Sequence, residues 1–166
     1  MATSSSRDFD LDVAEIIEEA YERCGMEVRT GYDAKTARRS LNLMFADWAN
    51  RGLNLWTVTQ ATQALTSGTA SYTFSSNFTD LLDVVIRDSS STDFSISRIS
   101  RSEYLNIPNK TSTGRPSQFF YDRQVTPTVT LWPTPDVSTY TLVYYHVNRI
   151  QDADTLQNTT DAPFRF

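Results

Sequence analysis

Apolar residues recur at helical steps in the first third of the chain and at strand steps through most of the rest. Val13, Ile16, Ile17, Ala20, Tyr21 and Cys24 follow one another at intervals of three and four, a single stripe down an α-helix. Glu15, Glu18, Glu19 and Glu22 fill the opposite face. Asp10 or Asp12 stands where an acidic cap satisfies the free N–H groups of a first turn. Gly25 stands where a left-handed residue ends a helix. Cys24, at the end of the stripe, is expected to fill core. A second stripe, Ala34, Ala37, Leu41, Met44, Phe45 and Trp48, opens behind Asp33 as N-cap and stops at Gly52, with Arg38, Arg39, Asn42 and Asp47 lying off it. The short link from Met26 to Tyr32 predicts an antiparallel helical hairpin. Two helices alone leave Phe45 and Trp48 uncovered, so the hairpin is expected to be part of a larger bundle or to be closed by the remainder of the chain.

After Gly52 the residues change to Thr, Ser, Val, Tyr and Phe with frequent turn formers. Ala70, Tyr72 and Phe74 alternate with Ser71, Thr73 and Ser75, the pattern of a half-buried strand. Ser67-Gly68 just before it predicts a hairpin with Leu55 to Leu65 as partner. Leu81 to Arg87 has strand length, Phe94 and Ile96 alternate with serines, and Ser89 to Asp93 reads as an exposed loop. Ser102 to Ile107 predicts one helical turn stopped by Pro108. Further strands are expected at Gln118–Arg123, Thr128–Trp132 and Tyr140–Val147, the last of them apolar on both faces and therefore buried in a core or against another chain. The pattern predicts an α+β protein: an N-terminal helical hairpin over residues 8–52, an antiparallel β-sandwich or small barrel of about seven short strands over 53–150, and an extended segment over 151–166.

Composition narrows the function. A chain of 166 residues encloses a core without disulfide or metal support. The net charge is −5, and the basic residues are scattered, whereas nucleic-acid binders concentrate theirs to neutralise phosphates. The single cysteine excludes an internal disulfide, and no apolar run approaches the ~20 residues of a membrane span. His146 is the one histidine. No G-x-S-x-G elbow, phosphate-cradling glycine loop or metal-ligand spacing accompanies it. No catalytic, cofactor-binding or metal residue is expected, no membrane partner either, and the chain does not read as an enzyme. A second reading is a carbohydrate- or ligand-binding β-sandwich with Trp132 or Tyr145 stacking on sugars. A weaker third is a hydrolase built on His146.

Several segments carry a resemblance. Phe45-Ala46-Asp47-Trp48-Ala49-Asn50-Arg51-Gly52-Leu53-Asn54-Leu55-Trp56, Ala70-Ser71-Tyr72-Thr73-Phe74 and Ile99-Ser100-Arg101-Ser102-Glu103-Tyr104 resemble the head-to-tail adaptors of short-tailed phages, the group of tail tubular and tail accessory proteins. So do Gly114-Arg115-Pro116-Ser117-Gln118-Phe119-Phe120-Tyr121-Asp122-Arg123 and Leu131-Trp132-Pro133-Thr134-Pro135-Asp136. The resemblance spans about residues 9–150. It implies a structural virion protein at the head–tail junction, made in the host cytoplasm. It implies a homo-oligomeric ring, a dodecamer, docked under the portal protein with the tail nozzle below. Double-stranded DNA would cross the central channel without specific binding. It also implies helices after the β-rich body. The sequence instead stops at Asp161-Ala162-Pro163-Phe164-Arg165-Phe166, a helix opening, so the chain is either cut short there or lacks those helices. Arg38 and Arg39 are the preferred candidates for a subunit or portal interface, with the acidic face Glu15, Glu18, Glu19 and Glu22 as the alternative, since arginine suits interfaces.

Overall fold

A computed structural model of the chain describes residues 12–53, 57–150 and 152–153. The Cα packing divides it into two compact units, Met1–Leu53 with Ile150–Phe166, and Asn54–Arg149.

The first unit holds α1 (Val13–Arg23) and α2 (Gly31–Asn50). Each opens on a reciprocal capping box, in which a cap side chain takes the N–H three residues on and that residue's side chain takes the cap's own N–H. At α1, Glu15 N–H donates to Asp12 Oδ1 at 2.8 Å while Asp12 N–H donates to Glu15 Oε2 at 3.1 Å. At α2 the cap is Thr30, not the expected Asp33. Asp33 is the reciprocal member, receiving Thr30 N–H at 3.1 Å, so the helix starts one turn earlier than its apolar stripe. Asp10 lies outside the described residues. Both helices end alike: Gly25 (φ 71) and Gly52 (φ 76) adopt left-handed backbone. Met26 N–H then reaches Tyr21 O at 2.9 Å and Leu53 N–H reaches Trp48 O at 3.1 Å, satisfying carbonyls of the last turn. Val13, Ile17 and Ala153 form the buried cluster, with Tyr21, Val28, Ala37, Leu41 and Phe45 packed against it. Asn42 fixes the returning chain, accepting Ala153 N–H at 2.8 Å on its side-chain oxygen. Cys24 is exposed, contrary to expectation. It is the C-cap of α1, where the helix has already turned off its buried stripe. Trp48 is half-buried beside Phe45, with ring centroids 5.8 Å apart.

Among its described residues the second unit has eight strands in two four-stranded sheets and one short helix, with no closed barrel. The strands are β1 (Val58–Ala64), β2 (Ser71–Thr73), β3 (Phe78–Arg87), β4 (Asp93–Ser95), β5 (Ser97–Ile99), β6 (Gln118–Asp122), β7 (Thr128–Trp132) and β8 (Thr141–Asn148), with α3 (Arg101–Asn106) between β5 and β6. One sheet runs β1-β8-β3-β4 and the other β2-β7-β6-β5. All pairs are antiparallel except β5 with β6. Side chains of both sheets meet in one core: Leu81, Val84, Ile86, Leu142 and Tyr144 from the first, Phe119, Tyr121, Val129 and Leu131 from the second.

Two pairings differ from the sequence reading. The predicted hairpin across Ser67-Gly68 does not form, because β1 pairs with β8 and β2 with β7, in different sheets. The segment Ser67-Gly68 is a crossing between sheets: Ser67 N–H donates to Ser138 Oγ and Gly68 N–H to Pro135 O, both at 2.9 Å. Leu55 and Trp56, the expected start of the first strand, lie outside the described residues. The alternation through Phe94 and Ile96 likewise belongs to two strands, since β4 ends at Ser95 and β5 begins at Ser97, one in each sheet. Ile96 between them is buried in the core, which anchors the chain where it changes layer. The last strand is central in its sheet: Leu142 and Tyr144 enter the core from one face, and Val143 and Val147 on the other face are buried as well.

Candidate functional site

The interface candidates all lie on the outward faces of α1 and α2. Glu15, Glu18, Glu19 and Glu22 are exposed. Glu15 is committed to the α1 capping box, and Glu19 accepts Arg23 Nε–H at 2.6 Å one turn on. Glu18 and Glu22 keep their carboxylates for solvent among the described residues. Arg39 is exposed and Arg38 half-buried, so the two differ in what they present.

Beside Arg39 the helix carries a stripe that the apolar pattern did not reveal. Tyr32, Lys35, Arg39 and Leu43 succeed one another at steps of three and four and line one shallow groove with Thr36. Tyr32 is 74% exposed and Leu43 65%. No residue of α2 is buried outright. A helix of 20 residues with that exposure and large apolar groups on its outer side has surface suited to a partner. The signal was present in the sequence as a second, mixed period, and it was masked because two of its members are cations.

The sugar-binding and hydrolytic readings meet different geometry. Trp132 is half-buried, and its indole N–H is spent on Asn109 O at 2.9 Å. Tyr145 is 44% exposed on a strand. His146 lies flat against Phe78, centroids 3.9 Å apart and interplanar angle 2°, and is 5% exposed. Its Nε2 is 3.1 Å from Thr59 Oγ1, while Nδ1 is buried without a partner. A catalytic histidine needs one nitrogen held by an orienting group and the other open to substrate; here Thr59 holds one nitrogen and the other is buried. Burial pushes its pKa below the usual value, against a smaller upward pull from Asn148. Among the described residues no cluster of His, Cys, Asp and Glu could hold a metal ion. No helix among them is long and apolar enough to cross a membrane.

None of the curated proteins matches the chain. The chain belongs to the SU10 adaptor protein family, which matches it over residues 11–165, and it is accordingly a structural adaptor of a phage and a component of the virion.

Proposed function

We propose that the protein assembles as a ring between portal and tail, a dodecamer that offers a platform to the tail nozzle and a channel to the DNA. The observation that carries this is the family match across residues 11–165. The outward groove of α2 supports it, since an adaptor must contact neighbours on more than one side and a closed ring needs two different patches per subunit. The net charge of −5 favours a conduit over a DNA clamp, because an anionic wall repels the phosphate backbone. Arg38, Arg39 and the α1 glutamates belong to this assembly surface. Synthesis in the host cytoplasm follows from the same role. Cryo-EM of the phage particle tests the reading: it predicts density for this fold in a closed ring under the portal. Density for the fold anywhere else on the particle, or for an unclosed arrangement, would refute it.

A further inference from the structure

We infer that the outer stripe of α2 receives the acidic face of α1 from a second copy of this chain. The inference rests on the ring reading and names the two patches that close it. The donor face has two carboxylates without a partner among the described residues, Glu18 and Glu22, four residues apart and exposed. The receiving stripe has two exposed cations at the same separation, Lys35 and Arg39. Four residues of helix rise about 6 Å, so both pairs come into register together.

A ring of many copies turns each subunit little from the next, so α1 meets its neighbour's α2 in the sense in which it meets its own. In the opposed sense of a hairpin, Glu18 faces Arg39 and Glu22 faces Lys35. Tyr32 and Leu43, 74% and 65% exposed, flank the two cations along the receiving stripe. Apolar contact therefore adjoins the ion pairs, and partial desolvation strengthens pairs that would be worth little on open surface. The same chain cannot satisfy this match internally, because both faces point away from the cluster built on Val13, Ile17 and Ala153. The pairing is heterologous, which suits a ring and not an isolated twofold dimer.

Two charge-reversed full-length proteins test it, one Glu18→Lys with Glu22→Lys, the other Lys35→Glu with Arg39→Glu. Sedimentation at low salt should show wild-type protein associating, and each variant alone weakened by at least about tenfold. The two variants mixed should associate again, since each then supplies the face that its partner lacks. Helical circular dichroism of each variant checks that the charges have not unfolded the hairpin, and rescue on mixing stands as evidence independent of that control. Wild-type protein that stays monomeric, variants that associate as well as wild type, or a mixture no better than its parts would each overturn the inference. So would variants that keep self-association and lose only a different tail protein. Particle images showing a ring while the variants still associate would leave the ring standing and remove these patches from it.

Discussion

Asp80 joins the two sheets of the β unit at one edge. It lies on β3, and it accepts Arg98 from β5 of the opposite sheet at 3.0 Å and Arg123 from the loop that follows β6. Arg98 also lies over the Tyr121 ring, 5.5 Å from its centroid, and burial followed by the Asp80 charge raises the Tyr121 phenol above its usual pKa. Asp80→Asn should lower stability by about 1–2 kcal/mol, the range for charge-assisted bonds discounted for the solvent that reaches these arginines; thermal melting measures it. Tyr121→Phe should do the opposite or nothing, since its buried hydroxyl has no hydrogen-bond partner to lose. His146 adds a pH dependence. Its depressed native pKa means that the unfolded chain binds the proton first as pH falls below about 6.5, so stability declines through that range and on toward the folded pKa. His146→Gln should flatten the slope of melting temperature against pH between neutral and mildly acid conditions; an unchanged slope would assign it to another group. At this scale the Asp12 cap was readable in the sequence, because a capping box lies within four residues, whereas Thr30 was hidden by Asp33, its reciprocal member and itself a good cap former. The Asp80 junction was not, because its members are far apart along the chain.

Elements followed the same division. The helices, α3 and the strands β6 and β7 were legible, since each is set by local periodicity and local stops. The pairing of β1 with β8 was not, since two strands so far apart leave no short-range mark, and Ser67-Gly68 imitates a turn that tertiary packing uses differently. Strands β4 and β5 read as one because the alternation runs unbroken through Ile96. The outer stripe of α2 is hidden for a related reason: two of its four members are cations, so it leaves no apolar period, and charge alone does not distinguish the half-buried Arg38 from the exposed Arg39. The helical unit offers a direct test. Ile17 is 5% exposed in a small cluster, and Ile17→Ala should cost about 2–5 kcal/mol. Loss of helical signal at a temperature where the sheet signal survives would show that the hairpin melts by itself; identical melting of both signals would show one cooperative molecule.

For the whole molecule, the β unit is an insertion: the chain enters at β1 and leaves at β8, two paired neighbours. Thr57 O accepts Asn148 N–H at 2.9 Å, holding entry and exit side by side. A fragment of residues 57–149 should therefore fold alone, with a β-type circular dichroism spectrum and a cooperative melt. A fragment that stays unfolded would place part of its stability in the helical unit. The order β1-β8-β3-β4 has a further consequence, one that concerns birth and not architecture. The strand at the centre of that sheet is the last of the eight to leave the ribosome. Until Thr141–Asn148 emerges, β1 and β3 wait with open edges on the sides that they will give to it, and long-range pairing of this kind is slow to form. A chain aborted before Thr141 cannot close the gap, and open strand edges invite aggregation or proteolysis. The last strand thus acts as an inspection stamp, since the sheet closes only once the chain has been made through Asn148.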